Sequence, residues 1–485
     1  MMNNFNDILT LLSDVLWGYP MIILLFGTHI YLTIRLKFPQ RKIFTAIKIS
    51  LTHDKYGQGD VSQFQALATA LAATIGTGNI IGVGTAIAMG GPGAVMWCWL
   101  TGVLGIATKY GESLLAVKYR KRSENGYMVG GPMYVLQDGL HCKWAGALFA
   151  AFTALAALGI GCTVQANAIS TLAHDVMGVS PWITGGIVTF FAALVLLGGI
   201  RIIARVCAAL VPLMAFVYVI GCIYILCINH EYVWPAINLI VTSAFSTHAV
   251  EGGVLGSGII LAARFGIARG LFSNESGLGS APIVAASAQT KNPVRQALVS
   301  ASGTFWDTVV ICAITGIVIV SCVLSYSDFS NIDSSFLRKL FEVTMKYELR
   351  SLDGGSLTRF AFGHIPYVGV PLLMFGLFTF AFSTILGWNL YAQRAVEYLF
   401  GYKAVKWYMR FFIVAVFLGS IIGLDTVWKM ADIFNALMAL PNLVALLLLS
   451  KVLVKDTDYY LWGSRIDEEV EESEELGIKS SLPLL

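Results

Sequence analysis

The sequence predicts an all-α integral membrane protein of about eleven transmembrane helices, and three observations carry that prediction. Hydrophobic residues fill 56% of the 485 positions and charged residues only 13%, and mean hydropathy is +0.72, a balance that a soluble domain facing water does not have. The apolar residues gather in windows of about 20, the length that crosses a bilayer. The charged residues gather between those windows, with the basic ones concentrated on one side.

Taken in order, the windows fall near 8–34, 64–90, 93–117, 144–172, 181–200, 202–228, 246–270, 296–324, 367–393, 408–424 and 428–450. No basic stretch precedes the first apolar run and no small-residue cleavage pattern follows it, so 8–34 reads as a retained helix rather than a signal peptide. With the N-terminus outside, 25 of the 32 basic residues fall on the inner side. They include Lys118, Arg120, Lys121, Arg122, Arg264, Arg269, Arg394 and Lys403. Most of the outer ones, Arg338 to Arg359, sit in one long loop, whose charges weigh least on orientation. The alternation therefore supports the helix count independently of hydropathy, and predicts an N-outside, C-inside protein of the plasma (cytoplasmic) membrane.

Composition excludes several classes. A net charge of +3, from 32 basic and 29 acidic residues, argues against a nucleic-acid partner. The eight cysteines are scattered without metal-ligand spacing and read as free thiols packing as small hydrophobes. The chain carries no H-E-x-x-H and no G-x-S-x-G motif, so an enzyme is not indicated. A channel is disfavoured too, because filters are usually rings of repeated residues in an oligomer.

The second window reads Thr74-Ile75-Gly76-Thr77-Gly78-Asn79, with Gly, Thr and Asn at mid-membrane where a lipid-facing helix would carry Leu or Ile. Unwound backbone in a bilayer is tolerated only where it is buried in protein or lines a wet cavity. Such a break offers N–H groups to a carboxylate and carbonyl oxygens to a cation. The alternative is small-residue packing between helices. Gly76, Gly78 and Gly82 miss the dinucleotide-binding spacing. A second candidate break, Gly252-Gly253, lies five windows later, an offset that suggests two repeats of five helices.

The string GTGNIIGVGTAIAMGGPGAVMWCW resembles the signature of the alanine/glycine:cation symporter family, also called sodium:alanine symporters. GGPMYVLQDGL at 130–140, RGLFSNESGLGSAPI at 269–283, NPVRQALVSASGTFWDTVVICAITG at 292–316 and FAFSTILGWNLYAQRAVEYLFG at 380–401 look like the same family. Asn389-Leu390-Tyr391-Ala392-Gln393 and Val284-Ala285 depart from its pattern. The resemblance implies a leucine-transporter-like fold of 5+5 inverted repeats plus one extra N-terminal helix. The core would then span 63–452, with an N-terminal helix and linker at 1–62 and an acidic cytoplasmic tail at 453–485. It also implies symport of a small neutral amino acid, alanine or glycine, driven by sodium. The alternative is a sodium- or proton-coupled carrier for a larger neutral amino acid such as glutamine.

The same resemblance places a sodium ion among the backbone carbonyls of Ala72 and Ile75 and the hydroxyls of Ser383 and Thr384, all hard oxygen donors. The alternative is that both hydroxyls bond back to their own helix. Thr77, Gly78 and Asn79 would meet the substrate carboxylate, with Gly252 and Gly253 carbonyls available for its ammonium. Gln165 and Asn167 are amides inside an otherwise apolar helix and are expected to face the bundle interior, Gln165 being the candidate substrate contact and a structural interhelical bond the alternative. Trp388, one turn beyond Thr384, would wall the pocket and limit side-chain size, against ordinary packing. Lys109 and Glu112 are expected to form a structural or gating salt link. Asp307, in the eighth window, has no assigned partner. The segment 271–291 reads as an inner re-entrant or capping element, and the lipid bilayer is the remaining partner.

Overall fold

The computed structural model describes residues 5–52, 57–245, 258–325, 354–422 and 425–469. The described residues are helical nearly throughout, because apolar backbone in lipid must satisfy its N–H and C=O groups within the segment. Among the described residues six helices are long and apolar enough to cross a membrane, and two further bent pairs pass the same test together.

The predicted first window divides into α1 (Phe5–Leu16) and α2 (Tyr19–Arg35). Gly18 is extended and Pro20 opens the second helix, while the Trp17 indole donates to the Asp432 carbonyl at 2.9 Å and pins the joint. After left-handed turns at Lys37 and Phe38, α3 (Ile43–Ser50) folds away, the two arms meeting at 67°.

Helix α4 (Gln63–Thr74) opens with a reciprocal cap: Ser62 Oγ accepts from the Gln65 N–H and Gln65 Oε1 accepts from the Ser62 N–H. It is broken from α5 (Val83–Gly90) by a wide helical turn over Gly78–Gly82, at 53°. Helices α6 (Gly93–Lys118), α7 (Lys143–Met177), α8 (Pro181–Leu196) and α9 (Gly199–Ile228) follow the windows closely. Beyond them α10 (His230–Phe245) fills a stretch expected to be a connection. The remaining helices are α11 (Gly258–Asn274), α12 (Pro293–Ser325), α13 (Gly354–Phe362), α14 (Gly369–Phe400), α15 (Tyr402–Ile421) and α16 (Asp425–Leu448).

The seventh window differs most from expectation. Helix α11 continues to Asn274, and the chain then unwinds through Glu275–Ala281 before a short helical turn, Pro282–Ala285. Helix α6 serves as a ruler beside it. Gly266 lies against Ala94 and Trp97, Gly270 against Cys98 and Thr101, Ser276 against Gly105, and the carbonyls of Ala286 and Ala288 accept from Arg120. Residues 271–291 thus run on beside α6 from the end of α11, as an unwound stretch followed by a short helical turn. Arg264 and Arg269 consequently sit toward the end of α6 away from Lys118 and leave the group of basic residues with which they were counted.

Helix α14 is the centre of the bundle, 67% of its most apolar stretch being covered by protein against 33% for α9. Helices α8 and α9 carry exposed Phe190, Phe191, Phe216 and Ile220, apolar groups that suit a lipid-facing surface. At the end where α6 finishes, Lys118 pairs with Asp456 and Lys37 with Asp458, each at 2.7 Å. Arg295 pairs with Asp467, and Asn292 donates to the carbonyls of Ile466 and Glu468, so the chain from Ser450 to Glu468 packs on the core. All eight cysteines are free, and six of them are buried.

Candidate substrate and cation site at two broken helices

The break after α4 is built by one exchange of hydrogen bonds. The Gly76 N–H, which would bond the Ala72 carbonyl in a continuous helix, donates instead to Asn79 Oδ1 at 3.0 Å. The freed Ala72 carbonyl accepts from Ser383 Oγ of α14 at 3.1 Å. Ser383 Oγ also lies 2.9 Å from its own Phe380 carbonyl, as does Thr384 Oγ1. Both hydroxyls therefore bond back to their helix, and Ser383 in addition bridges the two helices. Ile75 leaves the helix in an extended conformation, ψ 92°, turning the carbonyl end of α4 away from its axis.

Gly76 faces the same place. A β-carbon there would lie 2.7 Å from Thr384 Oγ1 and 3.7 Å from Gln165 Oε1, so α14 and α7 both meet the unwound turn at this glycine. Gln165 is buried, donates to the Ile160 carbonyl at 3.0 Å, and among the described residues leaves its Oε1 without a partner. Thr77 Oγ1 is likewise buried and has no partner among the described residues. Two polar atoms held ready beside an unwound turn suit a polar ligand, since buried polar groups are ordinarily satisfied.

Gly78 packs against Phe272 and Ser273 at the end of α11, so the first break adjoins the second. Through the second, Glu275, Gly277 and Gly279 all have positive φ, and the N–H groups of Gly277 and Gly279 donate to Glu112 Oε1 at 2.9 and 3.0 Å. Asn442 Nδ2 reaches the same oxygen at 2.6 Å and the Gly277 carbonyl at 2.9 Å. Glu112 thus holds the unwound backbone rather than Lys109, whose Nζ has no hydrogen-bond partner among the described residues. The expected salt link is replaced because two orphaned N–H groups of a broken helix require an acceptor.

The sequence-predicted residues divide clearly. Ala72, Ser383, Thr384, Gln165 and the Gly76–Asn79 turn come together. Asn79 is fully engaged: its Oδ1 holds the Gly76 N–H and its Nδ2 donates to Asp307 Oδ1 at 2.7 Å. Trp388, 1% exposed, presses on Gly161 in the wide turn Gly159–Thr163 of α7 and stands edge-on to Tyr391. That is one turn along α7 from Gln165, on the side toward Lys143. Asn167 does not join them; it is partly exposed and donates to the Ile422 carbonyl at 3.4 Å. Gly252 and Gly253 lie outside the described residues. The sequence reading missed Glu112 and Asn442 as anchors of the second break and Asp307 as a partner of the first.

Comparison with known proteins agrees with this architecture. The sodium:alanine symporter family matches residues 2–474. The sodium/alanine symporter AgcS of Methanococcus maripaludis is 44% identical over 94% of this chain and 97% of its own length. An uncharacterized transporter of Haemophilus influenzae is 46% identical over 95% and 97%. The probable sodium/glutamine symporter GlnT of Bacillus subtilis is 33% identical over 91% and 87%. Among solved structures, a Na+-coupled sialic acid symporter aligns with a TM-score of 0.51 at 11% identity, over 90% of this chain and 98% of that one, a likeness of fold alone. A matching family signature over nearly the whole length, on a helical membrane fold with an unwound, polar centre, makes this chain a member of the sodium:alanine symporter family.

Proposed function

We propose that the protein takes up a small neutral amino acid, alanine or glycine, together with sodium, and that both bind at the paired helix breaks. The observation that carries this reading is the release of the Ala72 carbonyl from α4 and its capture by Ser383, beside a glycine that faces Thr384 and Gln165. A dehydrated monovalent cation needs several hard oxygens, and the Ala72 and Ile75 carbonyls with the Ser383 and Thr384 hydroxyls supply them without a formal charge. A sodium ion there would replace the Ser383 bridge between α4 and α14 with ion-mediated contacts and so tie the two helices together. This reading assigns the backbone N–H groups of Thr77 and Gly78 to the carboxylate, and Gln165 Oε1 and Thr77 Oγ1, without partners among the described residues, to the rest of the polar head. Carbonyls of Gly252 and Gly253 for the ammonium group stay part of this proposal, with those of the unwound Glu275–Ala281 as the described alternative.

The bundle in this reading is an eleven-helix protein, ten helices forming 5+5 inverted repeats, with the N-terminus outside and the C-terminus inside. Breaks in the second and seventh crossings support it, since repeats place their discontinuous helices at corresponding positions. Trp388 bounds the pocket on the side of Gly161. Labelled alanine uptake competed by a panel of amino acids tests the substrate class. Alanine, glycine and serine are expected to compete and leucine to fail; strong competition by glutamine alone would move the reading to the larger-substrate alternative.

A further inference from the structure

Helix α15 begins at the end of the bundle where α6 finishes. Ser123, just past α6, donates to Glu397 Oε1 at 2.6 Å near the end of α14, and α15 opens after the single residue Gly401. On its first turns Lys403, Lys406, Trp407 and Arg410 follow one another at helical spacing, which puts them on one face. All four are exposed, Trp407 at 71%. The Arg410 guanidinium lies over the Trp407 ring, 4.7 Å from its centre, so the two side chains order one another. The same face continues into exposed Phe411, Val414 and Leu418. This is the side of α15 that suits lipid: apolar along the helix, then basic and aromatic at the depth of the headgroups. The start of α7 marks the same depth. Helices α7 and α15 run in the same direction, with Gly419 packed on Thr163 and Tyr408 donating to the Ala154 carbonyl at 2.7 Å. At 1.5 Å per residue, Lys143 and Lys403 lie about 30 and about 24 Å back from the Thr163–Gly419 contact. Exposed Lys143 and Trp144 repeat the pairing of cation and indole there.

The chain gives these cations no counter-charge. Among the described residues none of Lys403, Lys406 and Arg410 has a carboxylate within 4 Å. The nearest carboxylate in sequence, Glu397, is taken by Arg394 at 2.7 Å and by Ser123. Nor do the charges serve the helix that carries them. The first turn of α15 holds no acidic residue, and cations there oppose the positive end of the helix dipole. Orienting the chain in the membrane asks only that basic residues lie near the helix ends on one side. It does not account for three of them set around an exposed indole on the lipid-facing stripe.

We propose that this face of α15 is a docking site for a phospholipid with an anionic headgroup. Lys403, Lys406 and Arg410 hold its phosphodiester, Trp407 meets its glycerol region, and its acyl chains lie along Phe411, Val414 and Leu418. Arg410 offers a fork to two phosphate oxygens, while the lysines act as point charges. Near an anionic headgroup each such cation adds about fivefold to the attraction, so three together favour an anionic over a zwitterionic lipid by on the order of a hundredfold. The apolar stripe below the charges commits the site to a lipid rather than to free phosphate. A lipid held there braces the joint at Gly401 between α15 and α14, the helix that carries Ser383 and Thr384.

The test measures lipid and does not depend on the transported substrate. Purified protein, stripped of lipid in neutral detergent, is given phosphatidylglycerol or phosphatidylcholine, and bound lipid and melting temperature are read for each. Wild type is expected to bind phosphatidylglycerol at least about tenfold more tightly and to melt higher with it. Lys403→Gln/Lys406→Gln/Arg410→Gln should bring the two affinities within about twofold, while melting as wild type does in phosphatidylcholine. Should that variant fail to fold, Lys403→Gln/Lys406→Gln alone should still cut the ratio at least about threefold. Arg41→Gln/Lys42→Gln/Lys48→Gln removes equal charge around α3 at the same end of the bundle and should keep the wild-type preference. A wild-type ratio near one overturns the proposal. An equal loss in the α3 variant also overturns it, since the attraction would then follow net charge rather than this face.

Discussion

Removing the Ser383 hydroxyl perturbs the proposed Ala72–Ser383 sodium site at the point where structure and function meet. In Ser383→Ala two things change. The ion loses one oxygen ligand, and the Ala72 carbonyl, already released from its helix, loses its protein partner. A hydrogen-bond-strength contact to a charged group contributes roughly 1.5–3 kcal/mol. The orphaned carbonyl works the other way, because a buried acceptor left unsatisfied costs about 1–3 kcal/mol and an ion relieves that cost. The two terms partly cancel, leaving a net loss of about 1 kcal/mol, or roughly fivefold in sodium affinity at 1.4 kcal/mol per decade. Thr384→Val lacks the compensating term, since among the described residues Thr384 Oγ1 bonds only its own helix at Phe380 and touches Gly76. It should weaken sodium more, by about tenfold to a hundredfold for the same 1.5–3 kcal/mol ligand term. The assay is alanine uptake into proteoliposomes over a sodium series, with protein at the membrane checked for each variant. Equal sodium half-saturation in wild type and both variants would refute the argument; the reverse ranking, Ser383→Ala worse than Thr384→Val, would refute the compensation step.

Three further outcomes follow from packing and topology. Gly161→Ala places a β-carbon 2.2 Å from the Trp388 β-carbon, so it should cost at least the 1–3 kcal/mol typical of overpacking, seen as a lowered melting temperature. Glu112→Ala leaves the Gly277 and Gly279 N–H groups without their acceptor, at about 1–3 kcal/mol each, and should destabilise the protein more than Lys109→Ala. Equal melting temperatures for that pair would show that the second break is held otherwise. Cysteines placed at 125 and 345 in a cysteine-free background should label from inside and outside respectively, and the opposite pattern would reverse the proposed orientation.

Much of the helical frame was legible in the sequence because bilayer thickness fixes helix length and apolar windows report it directly. The first break was legible for a related reason: Gly76, Thr77, Gly78 and Asn79 are polar or flexible in the middle of such a window. The second was not. Arg264 and Arg269 cut the apolar run early and drew the window boundary to 270. The signal present was the polar string Ser273-Asn274-Glu275-Ser276 followed by Gly277 and Gly279, too polar for lipid and too short for a loop between crossings. Its anchors were out of reach of local pattern, since Glu112 meets Asn442 across 330 positions. The extra helix α10 was hidden by Pro235, which is tolerated within it, and by its position beyond a complete window. Asn167 was misplaced because alternation within one helix does not state which neighbour covers which face.

Sodium-driven concentration of alanine is the direct test of the account. Purified protein in sealed proteoliposomes, given an inward sodium gradient and labelled alanine, should accumulate the amino acid above its external concentration and release it when the gradient is collapsed. Accumulation that persists when potassium replaces sodium, or entry that never exceeds equilibration, would contradict it.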